Sequence, residues 1–225
     1  MTLITACAPE PGPVFVPPTQ ETPTSPPPTP IPPTATPTRG LWISPQVPAE
    51  LRQAAEDAGQ NFGLVLVSER EAGDLKLEPA AEEEQIISTW VYALVMAFPT
   101  VRDGVTFAEL QAAWSGNGQV LIMAETTYSI MQSIFGGEAG PGVVRIVSIQ
   151  DTEYALWSQR DAWGIIPFEF ITPKMKVLEV DGQAPIRRIF ETSEYPLGVG
   201  FTLSGGGFDL PVGNRDPDKM ATVMM

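Results

Sequence analysis

From Leu41 onward, short apolar runs alternate with stretches of helical spacing, and most breaks fall at glycine or proline. Leu41-Trp42-Ile43 predicts a buried strand. Pro48 suits the first turn of a helix whose apolar face is Leu51, Ala54, Ala55 and Ala58, with Gly59 as its stop. Gly63–Val67 predicts the next strand. Trp90–Phe98 is a long apolar run rich in β-formers, closed by Pro99; its lack of alternation predicts a strand covered on both faces. Thr106 and Glu109 have capping-box spacing ahead of Leu110, Ala113 and Trp114, with Gly116 ending that helix. Val120–Met123 and Val143–Val147 predict strands. Between them, Thr126 or Thr127 can cap a helix that turns Ile130, Met131, Ile134 and Phe135 inward and closes at Gly136. Asp151 opens a helix through Trp157. Trp163–Phe168, Lys176–Val180 and Val199–Leu203 predict the later strands. Repeated βα units of this kind imply an α/β domain with a largely parallel sheet.

Residues 8–40 show neither period. Thirteen of the chain's 24 prolines fall there, interleaved with threonine. Proline fixes φ and removes the backbone donor, so the expectation is an extended, disordered polyproline tether. At ~3.1 Å per residue it could span about 100 Å. Just before it stands Cys7, the one cysteine of the chain, which has no partner for an internal disulfide or a thiolate metal site. Leu3-Ile4-Thr5-Ala6-Cys7 resembles a bacterial lipobox, whose cysteine receives diacylglycerol. That resemblance implies a lipid anchor on Cys7 and a location outside the cytoplasm, on the cell membrane. A full secretory signal needs a charged start and roughly 7–15 apolar residues. Residues 1–7 therefore read as the remnant of such a signal, with the true start expected upstream.

Charge narrows the partners. The net charge is −14 and the pI about 4.3. Nucleic acid is not an expected partner, because it demands a basic surface. The same balance opposes binding to anionic lipid through a polybasic patch. There is no histidine, which removes the commonest general base and the commonest metal ligand. No P-loop or GxGxxG spacing occurs, and no cofactor is implied. Glu82-Glu83-Glu84 reads as a solvated charge run, and no Asp-x-Asp-x-Asp-Gly calcium spacing accompanies it. The tryptophans at 90, 114, 157 and 163 sit on regular elements, where packing is their usual role.

Several stretches resemble one family in order and spacing. Tyr92–Val95 with Phe98-Pro99-Thr100, then Asp103–Thr106 and Leu110, Trp114 and Gly116, are similar to the hinge region of phosphate-receptor-type solute-binding proteins. Ala162–Phe168 resembles the strand that returns toward the first lobe. Lys176–Pro185 and Tyr195-Pro196-Leu197 resemble the stretch that closes such folds. The resemblance implies a type II periplasmic-binding-protein-like domain over 41–212. Its first lobe would be about 41–90 plus 174–212, and its second about 91–173.

Asn214–Met220, followed by Ala-Thr-Val-Met-Met, resembles the entry into a CapA-type domain of capsule and poly-γ-glutamate synthesis proteins. Residues 213–225 would then begin a second, truncated domain. That resemblance implies a non-catalytic N-terminal module of a membrane-anchored lipoprotein; with no histidine and no paired site, no enzyme is expected within these 225 residues. Asp216 and Asp218 read as linker. Two alternatives stand beside it: a stand-alone solute-binding lipoprotein of an ABC transporter, and a structural spacer without ligand.

A binding-protein fold places its ligand on loops and helix N-termini between the lobes. Three places qualify: Ser44 after the first strand, Thr100–Asp103 after the hinge strand, and Thr126 with Thr127 at a strand-to-helix turn. Arg102 and Arg145 could answer an anion, or could be solvated surface. Glu125 beside the threonines would repel phosphate. The expected ligand is a small anion or an envelope polymer, and both threonines could instead be plain helix caps.

Overall fold

A computed structural model describes Gly12 and residues 39–81 and 85–215. The lipobox with Cys7, nearly all of the tether, Glu82–Glu84, Asp216 and Asp218 lie outside the described residues.

One long strand organises the domain. β4, Ser88–Ala97, runs through the middle of a nine-stranded sheet. From Tyr92 onward its residues alternate between two cores, as a period of two requires, while Val91 packs with the same core as Trp90. Trp90, Tyr92, Leu94 and Met96 face one; Ala93, Val95 and Ala97 face the other. The small residues sit where α4, Thr152–Ser158, lies close, with Leu156 and Ala155 on them. Both faces are covered, as the unbroken apolar run predicts.

β4 joins two sheet halves. Its beginning pairs with β11, Gly198–Ser204, through Val91↔Gly198 to Ser88↔Phe201. Beyond β11 lie β3 (Leu75–Pro79), β1 (Gly40–Ile43) and the edge strand β2 (Val65–Leu66). Its later part pairs with β8, Trp163–Pro167, from Tyr92↔Pro167 to Val95↔Gly164. β8 leads to β6 (Leu121–Met123) and β7 (Val144–Ile146). β9, Met175–Val177, pairs with Val95–Ala97. β5 (Gly104–Val105) and β10 (Glu179–Val180) make a separate parallel pair.

The sheet is mixed, which corrects the expectation of a largely parallel one. β1–β2, β1–β3, β6–β7 and β6–β8 are parallel, but β4 is antiparallel to β11, β8 and β9. The βα repeats account only for the outer strands; the central strand takes neighbours from distant parts of the chain. Lys176–Val180, expected as one strand, is divided at Leu178 between β9 and β10. Gly63–Val67 shortens to the two residues of β2.

The helices follow the apolar spacing. α1, Ala49–Asn61, buries Leu51, Ala55 and Gly59. Gly59 is therefore inside the helix rather than its stop: a Cβ there would lie 2.9 Å from Leu41 Cδ2, so its bareness lets α1 approach β1. The chain turns at Gly63 instead, where φ is +69°. α2, Phe107–Trp114, carries the expected capping box. Thr106 Oγ1 accepts from Glu109 N at 3.1 Å, and Glu109 Oε2 accepts from Thr106 N at 2.8 Å. α3, Glu125–Phe135, closes at Gly136 in the left-handed region, as expected. Trp114 stacks on Phe135 and Tyr128, which ties α2 to α3 on the face opposite α4.

Candidate ligand site

The carboxyl ends of β1 and β3 point toward the carboxyl ends of β6 and β8, because the two halves share β4 and β8 runs against it. Loops at such ends are where α/β sheets present ligand-binding groups. From the first half come Ser44–Pro48 and the start of α1. From the second come the start of α3 and the short helical turn Phe168–Phe170 after β8.

Ser44 is buried, and its groups are largely satisfied locally. Its oxygen Oγ accepts from Gln46 N at 3.3 Å, and its carbonyl accepts from Arg52 Nη2 at 2.7 Å. Gln46 then crosses to α3. Its Nε2 donates to the Ser129 carbonyl at 3.0 Å and to Ser133 Oγ at 2.8 Å. The loop after β1 is thereby held against the helix that carries both candidate threonines.

Neither threonine is the cap. β6 ends at Met123, so Ala124 occupies the N-cap position, and it offers no side-chain hydrogen bond. Thr126 and Thr127 lie inside the first turn, where the amides have no acceptor one turn back. Thr126 is exposed. Thr127 is 1% exposed, and its Oγ1 has no hydrogen-bond partner.

Thr100 and Arg102 are placed elsewhere. They follow the far end of β4, where β8 begins rather than ends. Arg102 stacks over Trp163, the first residue of β8, at 5.1 Å, and donates to Glu109 at 2.6 Å and to the Gly104 carbonyl at 3.2 Å. Its charge serves the α2 capping box. Thr100 offers its carbonyl to Lys176 Nζ. Ser44, Thr126 and Thr127 thus share one junction, while Thr100 and Arg102 sit across the length of β8 from it. Arg145 is an exposed residue of β7.

The junction also holds groups the sequence pattern did not single out. Glu169 accepts from Trp90 Nε1 at 3.2 Å and from Asn214 Nδ2 at 2.5 Å. Burial pushes its carboxyl above the ordinary carboxylate range, the Asn214 and Trp90 hydrogen bonds pull it back, and the nearby Glu50 charge adds to the rise. Tyr92 is buried beside it, and its phenol is pushed far up by desolvation, then by the charges of Glu169 and Glu50. An acid two residues beyond a wholly buried strand was the one available clue to Glu169. Gln46 and Asn214 carry no comparable signal.

A surface cavity of about 490 Å³ opens on the outer edge of the first half and borders the loop after β1; Trp42, Pro45, Arg52, Leu66 and Arg70 are among its lining residues. Arg70 there already forms a two-pronged pair with Glu78. The junction is the stronger candidate, because loops from both halves converge on it. Among the described residues, no cluster of three or more Asp, Glu or Cys is placed to hold a metal, and no helix is long and apolar enough to cross a membrane.

No family model matches the chain, and no curated protein matches it. Solved structures do. An ABC-type phosphate transport receptor from Vibrio cholerae superposes with a TM-score of 0.59 at 12% identity, covering 83% of this chain and 91% of that one. A possible phosphate binding protein from Planctomyces limnophilus gives 0.53 at 13%, over 74% and 80%. PstS from Borrelia burgdorferi gives 0.52 at 9%, over 74% and 85%. Identities this low speak to architecture alone, and the architecture is an α/β fold resembling type II periplasmic-binding-protein-like domains.

Proposed function

We propose that residues 39–215 form a non-catalytic binding module that holds a small, oxygen-rich ligand at the junction of its two sheet halves. The observation that carries this reading is Thr127. A buried hydroxyl without a partner costs about 1–3 kcal/mol, and this one stands in the uncapped first turn of α3. A ligand oxygen would satisfy both the hydroxyl and the free amides. The phosphate receptors of the same fold lend support to an anion. Glu125 at the head of α3, together with Glu169 and Glu50, favours a singly charged or protonated ligand over a doubly charged phosphate, since like charges repel.

The test is calorimetric titration of the whole chain with inorganic phosphate, sulfate and small carboxylates at pH 5 and pH 7.5. Saturable heat at millimolar ligand, stronger at pH 5 and lost in Thr127→Val, is the expected result. A folded protein that gives no saturable heat with any of them sinks the reading. That outcome favours a structural spacer, for which the crossing of the junction by Gln46 already speaks.

The setting of the module is proposed from sequence. The lipobox-like Leu3–Cys7 and the Pro/Thr tether support a lipid-anchored protein outside the cytoplasm. The CapA-like stretch from Asn214 supports an N-terminal module of a capsule or poly-γ-glutamate synthesis lipoprotein. Labelled fatty acid that enters the wild type but not Cys7→Ser would bear out the anchor; equal labelling of both would refute it.

A further inference from the structure

β4 has two edges, and they are covered differently. Along one edge lie β11 and then β9. Along the other, β8 covers only Tyr92 to Val95. The remaining stretch of that edge, Thr89 to Val91, is covered by the segment Val212–Arg215. Thr89 N donates to the Val212 carbonyl at 2.7 Å, and Thr89 bridges Gly213 in parallel. Val91 N donates to Asn214 Oδ1 at 2.8 Å, and Asn214 Nδ2 donates to the Val91 carbonyl at 2.9 Å. The asparagine carboxamide thus stands in for a peptide group of a neighbouring strand.

Val91 is the residue at which β4 passes from one sheet half to the other. The same Asn214 amide reaches Glu169 in the turn after β8. The next residue, Arg215, donates to the carbonyls of Pro185 at 2.8 Å and Arg187 at 2.9 Å, and lies over the Phe190 ring at 4.7 Å. Four residues therefore tie together the first half, the second half and the 185–190 loop. Their hold is polar: Val212 is 83% exposed, and Gly213, Asn214 and Arg215 are only half-buried. Segments held by part-buried and exposed hydrogen bonds with little apolar burial open at lower free-energy cost than the core does.

We propose that Val212–Arg215 is a releasable clamp across the junction of the two sheet halves. Its release frees the turn carrying Glu169 and the 185–190 loop while each half stays folded. Asn214 acts as a positioning residue for Glu169. The clamp stands on hydrogen-bond geometry and is independent of whether the junction binds a ligand.

Two substitutions release it by different physics. Asn214→Ala deletes the bonds to Val91 and Glu169. Gly213→Ala deletes no polar group, but a Cβ there would lie 2.4 Å from the Thr89 carbonyl oxygen and so expels the segment. Native-state hydrogen exchange on the whole chain is the measurement. In both variants, exchange at Thr89 and Val91 should rise about tenfold or more, as expected for losing one or two hydrogen bonds. The 168–171 and 185–190 segments should rise with them, while β1, β3 and β6 keep wild-type protection. Exchange that rises at Thr89 and Val91 alone would overturn the coupling to Glu169. Loss of protection throughout the domain, or failure to fold, would show the segment to be an integral part of the core and overturn the clamp.

Discussion

Trp90 Nε1 and Glu169 meet at 3.2 Å across the junction of the two sheet halves, so a carboxylate is held in place by the strand that both halves share. That carboxylate is raised by burial, against the pull of its hydrogen bonds to Asn214 and Trp90. A raised folded-state value means the native protein binds the proton more tightly than the unfolded chain. The stability this group contributes is then complete below the ordinary carboxylate range and is lost as pH rises through the folded value. Glu169→Gln removes the titration. It also turns an NH₂ toward one of two donors, so the variant starts less stable at acidic pH. Urea midpoints measured from pH 4 to pH 8 should show the gap to wild type narrowing as pH rises. A gap that is constant or widens refutes the assignment.

Three carboxylates in ion pairs nearer the surface work in the opposite sense. The Lys176 hydrogen bond lowers Asp103, the Thr106 backbone and Arg102 lower Glu109, and Lys174 with Thr172 lowers Glu153. What they contribute is present above the ordinary carboxylate range and is lost as pH falls through their folded values. The wild-type profile is accordingly the sum of opposing slopes, and only the difference between Glu169→Gln and wild type isolates the buried group.

Thr106→Ala deletes the capping acceptor at the head of α2 and strands the Glu109 amide. A loss of about 1 kcal/mol is expected in chemical denaturation, within the range for N-cap threonines. Arg102 should keep Glu109 charged and in place, so Arg102→Ala in addition should cost more than it does in an otherwise intact capping box. Additivity of the two substitutions would count against that link.

Gly164 sits in β8 where a Cβ would lie 2.9 Å from Val95 Cγ2 and 3.0 Å from Leu156 Cδ1. Both neighbours belong to the smaller core under α4. Gly164→Ala should lift α4 from the sheet and cost about 1–3 kcal/mol, the usual penalty of overpacking. A variant with an unchanged melting temperature would mean that α4 yields freely.

Thr127→Val separates a structural from a binding role for the orphan hydroxyl. Without ligand the variant should be as stable as wild type, or up to about 1 kcal/mol more stable, because an unsatisfied buried group has been removed. With ligand the order should reverse. A variant markedly less stable without ligand would point to a partner for the hydroxyl inside the protein.

The amino-acid sequence alone determined what depends on near neighbours. The unbroken apolar run from Trp90 specifies a strand buried on both faces as far as Ala97, whatever its partners, while Phe98 at its end is exposed. Thr106 and Glu109 specify the start of α2, because a capping box needs only four consecutive residues. β3 was legible in principle, since Leu75 and Leu77 alternate with Lys76 and Glu78 and only the leucines are buried, but five residues ending in proline make a weak pattern. The helix cap at Ala124 rather than at a threonine depends on where β6 stops, and that is decided by pairing with β7 and β8.

Tertiary structure decided the rest, for a common reason: the partners lie far apart in the chain. Whether β4 runs parallel or antiparallel to β8 and β11 follows from side-chain packing on both faces, which local period cannot express. Gln46 meets α3 across 83 residues, Glu169 meets Trp90 across 79, and Asn214 meets Val91 across 123. Thr100 and Arg102 looked like site residues from their place after the hinge strand, yet the antiparallel course of β8 puts them at its other end. Ser44 and Thr127 reach the same junction because parallel strands in each half end on the side that faces the other half. That convergence belongs to the sheet, and no window of sequence contains it.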